Sequence, residues 1–457
     1  MTGINKTNDP NKVDSRHKQY EKHYPLWRKC RVVADGSEAV KNAGVEFLPQ
    51  LTDQEPRDYE AYKHRALFFE GMSRAISGML GMMFNIEPTI HTSDGSDFLD
   101  RIMPGFLPVK TFLKKISREV ITVGRAGLLV DVDEDGLPYI AEYHAENILN
   151  WRVSRKGGQS SLSFLVLMET VEEYNSFATT EVVQYRVLHI NSDGFYTVEL
   201  YRQKEKGGDE FILMPGYPLL PQKNGRLLRE IPFYFINASS SRPEPERPPL
   251  IGMANVNISH YINSADLEHG RHFTGIPTPW VAGFPAMDKL RIGSPMAWVS
   301  RDANAKAGFL EFTGQGLKSL ENALKEKLEL MIVLGSRLLE APKKASESAD
   351  NQASRKQGEA SILSNIADSV SDGMTRAVKF AAEWAGEPSG DYNIEINRDF
   401  VTLSPDAGLM REWISATQGG LISYDTFFYN LKKSGMVPFE RDAETEQDLI
   451  DVQAPAS

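Results

Sequence analysis

Residues 248–279, PPLIGMANVNISHYINSADLEHGRHFTGIPTP, form a long stretch with prolines only at its two ends. Proline lacks a backbone N–H and clashes with the preceding helical turn, so Pro248 and Pro249 at one end and Pro277 and Pro279 at the other set the limits of a helix. About 22 residues fit between them, or roughly 33 Å. Ile251, Ala254, Ile258, Tyr261 and Ala265 recur at helical spacing and make one narrow apolar stripe. The other faces carry Asn255, Asn257, Ser259, His260, Asn263, Ser264, Asp266 and Glu268, which are polar but rarely charged. This pattern predicts a helix that packs side by side against copies or neighbours and does not bury itself in the core of one chain.

A chain of 457 residues is too long for one simple core and predicts two to four sub-domains. Its 41% apolar and 25% charged residues are those of an ordinary soluble globular protein. The single cysteine, Cys30, excludes a disulfide framework within the chain and fits a reducing compartment. Lys29 and Arg31 beside it would lower its pKa. No apolar run approaches about 20 residues, so no membrane span is expected. The opening MTGINKTNDPNK has no apolar core and does not read as a secretory signal. A formal charge of −11 argues against a protein built to grip phosphates, though not against one past which nucleic acid slides.

The chain opens with a polar helical segment at 10–30, anchored by Tyr24, Leu26 and Trp27 after Pro25, and a short helix and extended piece at 36–50. One long helix is expected over 56–84, with Tyr62, Ala66, Phe69, Ser73, Ile76 and Leu80 on a 3.6 period. Another covers 109–123. It runs into GRAGLLVDVDEDGLPYIAEYH, read as strand, turn, strand, and then into an antiparallel meander through EFILMPG, punctuated by Asn-Ser-Asp-Gly and Lys-Gly-Gly-Asp turns. After Pro279 come short strand-like pieces broken by Gly and Pro. A second long helix follows at 315–341, its near-heptad seam including Leu320, Leu324, Leu328 and Met331. Residues 342–360 lose all periodicity. Helices are expected at 361–385, 405–418 and 423–434, with YNIEINRDF as a short strand pair between the first two. The acidic end, ETEQDLIDVQAPAS, is expected to be disordered.

Two local motifs carry a resemblance. The central stretch reads PPL, then Ala254–Asn255, His260–Tyr261, Ser264–Ala265–Asp266, His272 to Gly275 and Pro277 to Pro279. Upstream stand Tyr59, Tyr62, Lys63, Arg65 and Ala66, then Gly78, Gly81 and Phe84. Both are similar to patterns in a subfamily of tailed-bacteriophage portal proteins, and the resemblance spans about residues 10–440. It implies an α+β fold with a wing at 1–248, a first stem helix at 249–275 and a clip at 276–314. A second stem helix at 315–341, a tunnel loop at 342–360, wing-return and crown helices at 361–440 and an acidic tail at 441–457 complete it.

The same resemblance implies a closed ring, usually a dodecamer, at one capsid vertex of a virion, assembled in the host cytoplasm. Double-stranded DNA passes through its channel during packaging and ejection. The implied partners are the terminase large subunit, the major capsid and scaffold proteins and a head–tail adaptor. Lys343, Lys344, Arg355 and Lys356 would touch DNA weakly from the loop. The stem residues Ile251, Ala254, Ile258, Tyr261, Ala265, Leu320, Leu324, Leu328 and Met331 would lie between subunits.

Residues with chemistry of their own point elsewhere only weakly. Asp131, Asp133, Asp135, Gly136 and Glu142 match the spacing of a calcium-binding EF-hand loop, but their flanks read as strands where that loop needs helices, so a hairpin with solvated acids is expected. His269 and His272 are spaced to share a metal, yet no third ligand is near. The phosphate loop, the dinucleotide fingerprint, the nucleophile elbow and the zinc-protease motif are all missing. No cofactor and no enzymatic activity are expected. The alternatives are another head–tail structural protein, or a metal-dependent enzyme built on Asp131–Glu142.

Overall fold

The computed structural model describes residues 9, 11–92, 98–204, 208, 210–276, 278–284, 299, 301–310, 314–336, 361–388, 390, 392–398, 400, 407–433, 436–437 and 443–453. Two sheets and a set of helices share one hydrophobic core. The first sheet is three-stranded. Strand β2 (Arg125–Val132) lies between β3 (Pro138–His144) and β11 (Phe233–Asn237), both antiparallel to it. Seven of the eight β2 residues are buried, which is why RAGLLVDV reads as a nearly continuous apolar run. Helix α9 (Ile362–Ala385) covers this sheet, and α6 (Val109–Val123) packs among α1 (Lys18–Ala34), α4 (Gly71–Met83) and α9.

The second sheet is the expected meander, in the order β4 (Ile148–Lys156), β5 (Gln159–Asn175), β6 (Ala178–Ile190), β7 (Tyr196–Gln203) and β8 (Phe211–Leu213). A buried charge cluster joins the two sheets. Arg186 on β6 donates to Asp131 on β2 (2.9 Å) and to Glu169 on β5 (2.7 Å). The Tyr143 hydroxyl and Gln184 Nε2 also donate to Glu169, each at 2.6 Å.

Several expectations are corrected. The long helix over 56–84 is two helices, α3 (Pro56–Arg65) and α4, separated by the non-helical residues 66–70. Residues 44–46 form a 3-10 turn where an extended piece was expected. YNIEINRDF supplies one strand, β14 (Asn393–Glu395), whose antiparallel partner is the distant β1 (Thr89–His91). The acidic end is not without structure, because Ala443–Gln453 is helical. Glu444 and Glu446 lie in its first turn, where the helix dipole favours carboxylates.

Candidate assembly interface

Helices α7 (Ile251–Gly275) and α8 (Gln315–Ser336) form an antiparallel pair, and the ribbon β12 (Thr278–Ala282)–β13 (Lys306–Leu310) continues from its far end. Glycines let the helices approach. A Cβ on Gly270 would lie 2.5 Å from Leu317, and one on Gly335 would lie 3.2 Å from Met253. Lys327 Nζ donates to the Ser259 carbonyl (3.1 Å), and Arg271 bridges to Glu321 (2.8 Å). The Arg271 pair is exposed and contributes no more than about 1 kcal/mol.

The apolar stripe of α7 faces the chain's own core. Ile251, Ala254, Tyr261 and Ala265 are buried and Ile258 is half-buried. Several of its polar residues are engaged as well, and two of them satisfy the backbone where α3 breaks from α4. The Asn257 amide donates to the Phe69 carbonyl (2.7 Å), and its oxygen accepts from the Met72 N–H (3.2 Å). Ser264 Oγ accepts from the Leu67 N–H (3.3 Å). Tyr62 donates to Asp266 (2.6 Å), and the Arg65 guanidinium donates to His269 Nδ1 (3.1 Å). A helix whose polar side chains close open hydrogen bonds in its own chain is not free to offer them to a neighbour. The expectation that this helix stays out of the core is therefore wrong as far as Gly270, beyond which residues 271–276 are exposed.

On α8, Met331 is buried and Leu320, Leu324 and Leu328 are half-buried. The outward side carries Leu330 (46% exposed), Ile332 (72%) and Val333 (44%). The unbroken run Leu330–Leu334 is the signal for this second face, since five successive apolar residues exceed what one helical stripe can bury. The ribbon adds exposed Trp280, Phe309 and Leu310, with the Trp280 indole lying across Gly308. A two-stranded ribbon with exposed aromatics is marginal in water alone, and apolar surface of this kind marks a contact site. Lys343, Lys344, Arg355 and Lys356 lie outside the described residues.

The histidines at 269 and 272 are held by aromatic contacts. His269 packs edge-on against Tyr62 and Phe273, and burial with the nearby Arg65 lowers its pKa. His260, buried beside Phe69, is also lowered, by burial and then by Lys327. Cys30 corrects another expectation, since burial outweighs Lys29 and Arg31 and pushes its pKa up to about 12.

The calcium-like acids sit on the expected β2–β3 hairpin, but they are not all solvated as expected, because Asp131 and the Glu142 side chain are buried. Asp133 accepts from the Asp135 and Leu137 N–H groups, Asp131 is paired with Arg186, and Glu142 is paired with Lys115 (2.6 Å). Two of the acids are thus committed to cations and cannot converge with Asp133 and Asp135. Titration with millimolar Ca²⁺ is expected to give no saturable heat. A stoichiometric binding curve in calorimetry would reverse this assignment. Among the described residues no cluster of three or more His, Cys, Asp or Glu is placed to hold a metal, and no helix is long and apolar enough to cross a membrane.

Residues 249–385 match a family model described as a domain of unknown function, DUF4055. That span runs from the start of α7 to the end of α9. No curated protein matches the chain. Among solved structures, it is similar to a chain from the neck of an empty gene transfer agent particle computed with C6 symmetry, at 13% identity and a TM-score of 0.36, over 84% of this chain and 94% of that one. It is similar to a chain of the native gene transfer agent virion at 12% identity and 0.36, over 87% and 98%. A third, from the native particle's neck computed with C12 symmetry, stands at 11% and 0.35, over 85% and 97%. Similarity at this level defines neither the fold nor the role of this chain.

Proposed function

We propose that the chain is the subunit of a portal-like ring at the head–tail vertex of a phage or phage-like particle, through which double-stranded DNA is packaged and ejected. The observation that carries this reading is the α7–α8 hairpin. One end is locked into the chain's own core through Asn257, Ser264 and Tyr261, while the other ends in the ribbon with exposed Trp280, Phe309 and Leu310. A ring is a heterologous assembly, so each subunit must present two different complementary faces. The outward side of α8 and the ribbon are available for that purpose, and the residues buried between α7 and the core are not. The resemblance in the α7 motif supplies the DNA channel, the terminase, capsid, scaffold and adaptor partners and the virion location. No catalytic role is assigned.

The test is the mass of the purified protein in solution, followed by negative-stain imaging of the main peak. Rings of about a dozen copies around a central hole are expected by heterologous closure. A monodisperse monomer or dimer at high concentration would overturn the proposal.

A further inference from the structure

Two hairpins at opposite ends of the five-stranded sheet carry opposite charge. Strand β5 is 17 residues long, about 56 Å at ~3.3 Å per residue, and it enters a hairpin at both ends. At one end β4 turns into β5 through Gly157 and Gly158, both at positive φ (59° and 84°). Residues 151–163 include Arg152, Arg155 and Lys156 and no acid. Arg152 lies over the Phe164 ring at 4.6 Å, Arg155 is exposed, and neither has a carboxylate partner among the described residues. Val153 beside them is 44% exposed.

At the other end β5 and β6 outrun their neighbours. Pairing with β4 stops at Leu167 and pairing with β7 stops at Gln184, whereas β5 and β6 stay paired out to Asn175 and Ala178. The result is a two-stranded arm. Residues 170–183 include Glu172, Glu173 and Glu181 and no Lys or Arg; Glu173 is paired with Arg202 of β7 (2.8 Å), and Glu172 and Glu181 have no ion-pair partner among the described residues. The arm's tip bears Tyr174, 76% exposed, and Phe177, wholly exposed at 107%. Two aromatic rings at the tip of an otherwise unsupported hairpin have the composition of an interface anchor, and such an arm gains stability only when something packs on it.

We propose that the acidic, aromatic tip of the β5–β6 arm docks on the basic β4–β5 turn of a second copy of this chain. Charge complementarity selects the occupant, because both halves of the match are carried by the same polypeptide. They stand at opposite ends of one strand and cannot meet within it. The contact is heterologous, so it closes into a ring under the proper rotation. It therefore rests on the ring reading above and names one of the ring's contacts.

Charge exchange in the full-length protein tests this. Arg152→Glu with Arg155→Glu, and separately Glu172→Lys with Glu181→Lys, are each expected to raise the concentration needed for assembly by roughly tenfold at low salt. Combining all four changes in one chain should restore assembly. The substituted residues are exposed, so thermal unfolding of each variant should match wild type. A second measurement uses Ala178→Cys with Gln159→Cys, both exposed, which leaves the two aromatic rings of the tip in place. The two sites are about 50 Å apart along β5, and a disulfide needs Cα atoms within ~7 Å. Oxidation should therefore produce a ladder of linked copies, against a background in which the native Cys30 is buried.

Wild-type rings together with unaltered rings from both charge variants and no ladder would overturn the arm contact while leaving the ring intact. Rings that persist in the Arg152→Glu, Arg155→Glu variant but lose retention of double-stranded DNA would assign the turn to nucleic acid and overturn the proposal. A wild-type protein that never self-associates would overturn both readings.

Discussion

Replacing Arg186 with methionine is expected to destabilise the protein by about 3–5 kcal/mol at neutral pH, because it strands two buried carboxylates without a counter-charge. Arg186 is the only cation paired with Asp131 and Glu169 among the described residues, and it joins β6 to both β2 and β5. The effect should depend on pH in a way that identifies its origin. In the wild type, the Arg186 charge and the Tyr143 and Gln184 hydrogen bonds outweigh burial and hold Glu169 below the usual carboxylate range. Its stabilisation is therefore present above the unfolded pKa and is lost as pH falls through the folded value. Asp131 opposes this in part, since burial raises its pKa. Without Arg186 both acids shift upward and bind protons in the folded state first, so the variant should regain stability relative to wild type as pH falls from 7 towards 5. Denaturant midpoints at the two pH values check this. Adding Asp131→Asn and Glu169→Gln should recover most of the loss at pH 7, and a loss unchanged by those substitutions would mean that Arg186 acts through packing.

What could be read in advance follows the range of the forces involved. The meander was legible because strand alternation and Gly-containing turns are local. The β2–β3 hairpin was legible for the same reason, and its strand flanks outweighed the match of its acids to a calcium loop. The break at 66–70 was not. ALFF is apolar, Glu70 after it is a good helix former, and the period runs straight through both. What opens it is a set of hydrogen bonds from Asn257 and Ser264, nearly two hundred positions away in sequence. Local propensity is a weak prior that such tertiary bonds override. The pairing of β1 with β14 has the same character, since neither three-residue strand declares its partner.

The misreading of α7 is instructive for the interface. A polar but uncharged helix face has two physical explanations: it meets other copies, or it satisfies irregular backbone of its own chain. Periodicity does not separate the two. The exposed apolar surface lies one layer further out, on Leu330, Ile332 and Val333 of α8 and on the ribbon. In the proposed ring α7 would act as a rigid strut inside the subunit, and α8 with the ribbon would meet the neighbour. The β5–β6 arm lies on a separate sheet, and in the proposed ring it would supply a second contact, of opposite charge to its receptor turn and heterologous like the first.

If α7 is such a strut, Asn257 is its most sensitive position. Asn257→Leu is expected to cost about 1–3 kcal/mol, because it leaves the buried Met72 N–H without a partner, while the Phe69 carbonyl loses one of two bonds and keeps that from the Gly71 N–H (2.9 Å). The side chain is fully buried, so water cannot replace the lost bonds without opening the α4–α7 contact. Asn255 provides the control. It lies two residues away on the same helix but is exposed and bonded only to Lys29 (3.0 Å), so Asn255→Leu should change stability by less than about 0.5 kcal/mol. Asn257→Asp separates the two bonds. Its carboxylate still accepts from Met72 but cannot donate to Phe69, so the loss should be intermediate or larger at pH 7 and shrink in mild acid, where a protonated carboxyl can donate. Thermal unfolding and exchange of the Met72 amide report the two levels of the argument. A large drop in stability with the Met72 amide still protected would place the damage elsewhere than the break. Equal effects at 255 and 257 would show that α7 does not hold the broken helix in place.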